Sequence, residues 1–291
     1  MARLVVALAL LLVAARPLAA GTAAPELWVW KGATLAPLVT PAAFSDLHVR
    51  LASQFEVLDG RVVGLTSGGE LLDLTARRLL PAATPLGITS VSADRQLLIV
   101  VRGRRLGVYE AGAVAEKVQL PQDGLTVVAG AKQRLYLYGP QGAGAVIYLL
   151  EQGRAGTLLE IPDGRISALS VIGERLFFAV GNAIFTVAEG QRPAIVFVAA
   201  GESDIRSIAP DPRTGLLYFS AGDTVYAMRA GMAVSILRGL EGILRYAGDG
   251  LYVLDPWQGS LVKLQGLEKL LELGAGASQS GAEGPPAEFK E

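Results

Sequence analysis

Apolar residues along this chain come in short runs, broken by glycine, proline, aspartate or asparagine, and the runs recur at a nearly fixed spacing. Five segments carry the pattern: "ITSVSADRQLLIVVRGRRLGVYEAG", "LTVVAGAKQRLYLYGPQGAGAVIYLLEQG", "ISALSVIGERLFFAVGNAIFTVAEG", "IRSIAPDPRTGLLYFSAGDTVYAMRAG" and "ILRYAGDGLYVLDPWQGSLVKLQG". They begin at Ile88, Leu125, Ile166, Ile205 and Ile243, so the intervals are 37, 41, 39 and 38 residues. Short runs rich in β-branched and aromatic residues predict strands, and the glycine-bearing breaks between them predict hairpin turns. Helical periodicity is absent apart from a single turn around "LEKLLEL". Four antiparallel strands in a unit of about 40 residues describe the blade of a β-propeller. A sixth, earlier unit fits "FEVLDGRVVGLTSGGELLDLTARRLLP", less cleanly at its first strand. Before it, "ELWVWKGATLAPLV" reads as outer strands without inner ones. Such a piece is expected to join the C-terminal blade and close the ring, so that no sheet edge lies open. The expectation is an all-β protein: a β-propeller of four-stranded antiparallel blades, six of them, with seven as the alternative.

The two ends differ from this pattern and divide the chain. Residues 1–24 have Arg3, an uncharged apolar run of 12 residues from Leu4 to Ala15, and then small residues, which is the order of a secretory signal peptide. As a helix that run spans roughly 18 Å, too short for a bilayer core of about 30 Å. Residues 25–273 are the propeller, and residues 274–291, "GAGASQSGAEGPPAEFKE", have the composition of a flexible low-complexity tail. The expected location is extracytoplasmic, periplasmic or secreted, with no membrane span once the signal is cleaved.

Composition then removes chemistries. There is no cysteine and one histidine, His48, in 291 residues. That excludes disulfides, thiolate metal sites and multi-histidine metal centres, and leaves almost no room for a Ser-His-Asp triad. A net charge of -1 gives no electrostatic case for nucleic acid.

Two hairpins carry a family resemblance. "GDGLYVLDPWQGSLVKL", Gly248 to Leu264, resembles an NHL-type propeller repeat, and "SIAPDPRTGLLYFSAGDTVYAM", Ser207 to Met228, resembles the matching hairpin of gluconolactonase-like six-bladed propellers. The resemblance is at the level of the repeat and covers Leu27 to Leu273. It implies a ligand site at the mouth of the central channel and, for the lactonases, a divalent cation held by Glu, Asn and Asp. Carried over residue by residue, the family's Asn-Gly falls near Asp204-Ile205 and its inner Asp on Ala221. Only the last repeat has an acid there, Asp255, where the other five have Leu65, Val101, Gly139, Val180 and Ala221. The single asparagine, Asn182, sits elsewhere in its repeat. A divalent cation such as calcium is therefore not supported, and no cofactor is expected.

The loops that link blades share a face with the turns between second and third strands. The candidate ligand-binding rim on that face is Asp255, Trp257, Asp204, Arg206, Glu241, Arg245, Asp163 and Arg165, with Asp123, Glu202, Asn182, Asp223 and the "VRGRRLG" arginines Arg102, Arg104 and Arg105 nearby. Each is also an ordinary turn or loop residue. Trp28 and Trp30 alternate onto one strand face and are expected to pack between the closing strand and its neighbour. His48 is expected to be structural or exposed, and "PDPRTG", Pro210 to Gly215, is expected to be hairpin chemistry, not a calcium loop. The function expected is that of a monomeric protein-binding or scaffolding module of the cell envelope, taking an envelope protein or a small ligand. The alternatives are a metal-dependent lactonase or hydrolase with its site at the channel mouth, and a small-ligand sensor domain.

Overall fold

The computed structural model describes residues 27–201, 203–248 and 250–271. The expected signal peptide (1–24), the tail (274–291) and Glu202 lie outside the described residues. Six antiparallel sheets stand around a central axis, each the product of one sequence repeat. Blade I runs from Leu51 to Leu79, blade II from Ser90 to Gln119, blade III from Thr126 to Ile161, blade IV from Ile166 to Val198, blade V from Ile205 to Arg238 and blade VI from Ile243 to Gln265. The count is six, not seven. The uneven start of blade I is a break in register between Leu51 and Phe55.

The N-terminal piece is divided between two blades. Thr34–Val39 pairs antiparallel with Ser260–Gln265 and supplies the fourth, outermost strand of blade VI. Trp28–Val29 pairs with Arg238 and Leu237 and adds a fifth strand to blade V. Between them the chain turns back tightly at Gly32, where any Cβ would collide with the Trp30 ring. Trp30 packs against the core between blades V and VI, as expected, but Trp28 is 47 % exposed under the Arg238 guanidinium, 5.4 Å from its centroid. One element was not expected, a five-residue helix Pro41–Ser45 capped by Thr40. The region around "LEKLLEL" opens with a 3-10 turn, Leu267–Lys269.

Apolar side chains alternate along each strand and pack on both faces of a blade, so the protein has six cores, one at each blade-to-blade interface. Phe55, Val62 and Leu72 of blade I meet Leu254 and Leu261 of blade VI. Tyr136 and Ile147 of blade III meet Phe178 and Val187 of blade IV. Each such side chain contributes roughly 1.5–3 kcal/mol by leaving water.

The innermost strands are sheet edges lining the channel, and their backbone groups need partners other than a further strand. Side chains from the preceding blade supply them at the repeat spacing. Val91 N donates to Gln54 Oε1 at 3.0 Å, Val127 N to Ser90 Oγ at 3.0 Å and Leu244 N to Ser207 Oγ at 2.9 Å. Ala129 N donates to Ser92 Oγ at 2.9 Å, and the Ser167 hydroxyl donates to the Ile205 carbonyl. These bonds hold the channel open at a fixed width.

Candidate functional site

The rim residues separate into three groups. Arg206, Glu241 and Trp257 come together at the channel mouth. Arg206 is the second residue of the inner strand of blade V, and its Nη1 is ion-paired to Glu241 Oε2 in the linking loop before blade VI. The same guanidinium lies 5.0 Å from the Trp257 ring centroid. Trp257 is 60 % exposed, the second most exposed large apolar side chain after Ile195 at 61 % among those described. Its ring is held by a cation, not by the closing strand.

Asp255 belongs to a second group with a different role. It is 1 % exposed, and its Oδ1 accepts from the backbone amides of Trp257 at 3.0 Å and Gln258 at 2.9 Å. The Gly259 amide donates to the Asp255 carbonyl at 2.9 Å. A short side-chain carboxylate is well suited to this turn, because it replaces the strand partners those amides have lost. Asp255 therefore faces the hairpin turn and not the channel, and it positions Trp257. The turn reading accounts for the one acid at a repeat position the other blades fill neutrally.

Arg245 is in the third group, at the waist of the channel. Its Nε donates to Glu56 Oε1 at 3.0 Å, its Nη1 to the Leu244 carbonyl at 2.8 Å, and its guanidinium lies 5.7 Å from the Phe55 ring centroid. Burial pushes the Glu56 carboxyl up from its usual range, and the Arg245 charge offsets part of that. The pair divides the channel. Above it is a cavity of about 270 Å³ that reaches the linking-loop face, and below it one of about 230 Å³ that includes Glu56, Pro210, Pro212 and Tyr246; Arg245 borders both.

The remaining candidates stay apart from these groups. Asp163 and Arg165 are exposed in the loop linking blades III and IV, and Asp204 is exposed beside the Gly181 turn. Arg104 donates to the Pro121 carbonyl at 2.8 Å and Arg105 is paired with Glu116, so two of the three clustered arginines serve their own blade. Asn182 Nδ2 donates to the Ala199 carbonyl at 3.0 Å. His48 is exposed. "PDPRTG" is the turn between the first two strands of blade V, on the opposite face, as expected. Sequence reasoning did not find Glu56, Tyr138, Thr126 or Gln54 as channel residues. For Gln54, Glu56 and Thr126 the available signal was position at an innermost strand; Tyr138 lies on the second strand of blade III and had none.

These residues do not fit the divalent cation of the lactonases. Among the described residues no three of His, Asp and Glu gather as ligands. Asp255 is committed to backbone amides, and the side chains that border the upper cavity carry two guanidiniums and no carboxylate. A hard cation needs several converging oxygens, and two fixed cations oppose it.

No protein-family model matches the chain, and no curated protein matches it. Solved structures do share its fold. A gluconolactonase from Xanthomonas campestris is similar with a TM-score of 0.63 at 14% identity, over 81% of this chain and 91% of that one. A calcium-binding regucalcin from Agrobacterium tumefaciens is similar with a TM-score of 0.54 at 15% identity, over 74% of this chain and 92% of that one. The extracellular domain of a hybrid two-component system from B. thetaiotaomicron is similar with a TM-score of 0.52 at 12% identity, over 73% of this chain but only 32% of that one. Likeness at these identities is a likeness of fold, and it agrees with the repeat-level resemblance to six-bladed gluconolactonase-like and NHL-type propellers.

Proposed function

We propose that this chain is an extracytoplasmic, monomeric propeller that binds an envelope protein through its linking-loop face. The observation that carries the reading is Trp257, an exposed indole gripped by Arg206, which Glu241 holds in turn. Tryptophan and arginine are the residue types that concentrate binding energy at protein interfaces. A rigid turn presents this pair beside a channel mouth, so little conformational entropy is left to lose on docking. Basic and apolar residues at the N-terminus favour export, and the likeness to an extracellular domain agrees with it. Among the described residues no helix is long and apolar enough to cross a membrane. The lactonase reading is the weaker one, because the carboxylates it needs are absent from the upper cavity.

The test is a comparative pull-down from envelope extract with the mature protein as bait. The reading expects a protein retained by the wild type and lost from Trp257→Ala and Arg206→Ala, both folded. Retention that is identical in all three baits, or no retained protein in any, defeats it.

A further inference from the structure

The upper channel cavity combines features that the rim reading does not use. It is a space of about 270 Å³ whose charged border is Arg206 and Arg245, with no Asp or Glu side chain along it. Their carboxylate partners, Glu241 and Glu56, approach from outside that border. Each guanidinium has five donors in a planar fork. Arg245 spends Nε on Glu56 and Nη1 on the Leu244 carbonyl, and neither contact uses Nη2. The uncharged polar side chains around the same space are Ser53, Gln54, Thr126, Tyr138, Ser167 and Ser207. Burial pushes the Tyr138 phenol up, and the Arg245 charge and a bond with the Thr126 hydroxyl offset part of that; Tyr138, Thr126 and Arg245 all border the cavity.

From this arrangement we infer that the upper cavity is a binding site for a small organic oxyanion, a carboxylate or phosphate group between Arg206 and Arg245 with hydroxyl substituents bonded to Tyr138, Thr126 and Gln54. The site shares Arg206 with the docking face but does not require a docked protein. Paired guanidiniums recognise planar and tetrahedral oxyanions through parallel N–H donors. Low-dielectric walls of Val127, Ala168 and Ile208 strengthen that attraction. The cavity volume limits the ligand to a compact metabolite and excludes a polymer chain.

Calorimetric titration of the mature protein with sodium glycerate and with sodium phosphate, at ionic strength matched with sodium chloride, tests the inference. The expected result is a Kd below about 1 mM for at least one of the two. Glycerate alone binding assigns a carboxylate, and phosphate alone assigns a phosphate. Arg206→Lys is expected to weaken binding by about tenfold or more, the effect of losing a bond to a charged group, and Tyr138→Phe to weaken glycerate binding by about fivefold, the effect of losing a neutral hydrogen bond. Removing Arg245 outright strands the buried Glu56 carboxylate, so Arg245→Lys is used; it keeps that ion pair and removes the fork. Lys117→Ala, on the outer strand of blade II, is expected to leave the Kd within about twofold, the additivity of distant sites that share no contact. No heat from either anion up to about 10 mM, or binding that all three cavity variants leave unchanged, overturns the inference.

Discussion

The protein contains the same five-residue turn twice, on opposite faces of the ring. "DPRTG", Asp211 to Gly215, joins the first two strands of blade V, and "DPWQG", Asp255 to Gly259, joins the second and third strands of blade VI. In both, a buried aspartate accepts from the amide two residues on, and the closing glycine donates to the aspartate carbonyl at 2.9 Å. In both, the third residue enters a cation–π contact. Arg213 lies 5.7 Å from the Tyr246 ring, and Arg206 lies 5.0 Å from the Trp257 ring. The difference is what the turn presents. Arg213 leans onto an aromatic of the next blade and donates to its hydroxyl, which ties two blades together. Trp257 offers its own ring to solvent at a channel mouth. One backbone solution thus serves cohesion on one face and presentation on the other, and the third residue decides which.

The largest test of that equivalence is the aspartate. Asp255→Ala leaves two part-buried amides without their side-chain acceptor and is expected to cost about 2 kcal/mol, read as a lower urea midpoint at unchanged m. Asp211→Ala should cost nearly as much. If Asp255→Ala is neutral, the two turns are not held alike. The glycines sharpen the contrast. Both have positive φ, +73° and +68°, but a Cβ at Gly215 meets nothing within 4 Å, whereas at Gly259 it lies 2.8 Å from Phe44. Gly215→Ala is expected to cost about 1 kcal/mol in left-handed backbone strain, and Gly259→Ala about 2 kcal/mol more through overpacking. Equal losses would mean that the Pro41–Ser45 helix moves away freely.

A smaller effect at the blade V turn is read by pH. Burial pushes the Asp211 carboxyl up, but bonds from the Thr214 hydroxyl and the Arg213 amide outweigh it and hold it below its usual range. A depressed folded value means stability that is present above the unfolded value of about 3.9 and is lost as pH falls through the lower one. Asp211→Asn should therefore flatten the acid limb of a stability-versus-pH curve; an unchanged limb contradicts the assignment. The smallest expected change is at the presented residue. Trp257→Ala should alter stability by no more than about 0.5 kcal/mol, since most of its ring is already in water. A larger loss would make it a packing residue and remove the basis for a docking face.

The blade count and the hairpins were legible because each is a local pattern repeated six times. The role of Asp255 was also within reach. Aligning repeats by strand order set "DPWQG" against the second-to-third strand turns of other blades, and its twin lay one turn earlier in blade V. The Arg206–Glu241–Trp257 contact and the Glu56–Arg245 pair were not legible. The first joins loops of adjacent blades, and the second bonds residues 189 apart in sequence.

By itself the sequence determined strands, turns and their multiplicity, because alternation, glycine and Asp-Pro act over a few neighbouring residues. Tertiary structure alone decided which side chains face the axis together and which acids are spent on backbone amides. Those outcomes depend on the closure of the ring, which brings inner strands from all six blades within reach of one another and leaves a cavity whose charged border is two arginines.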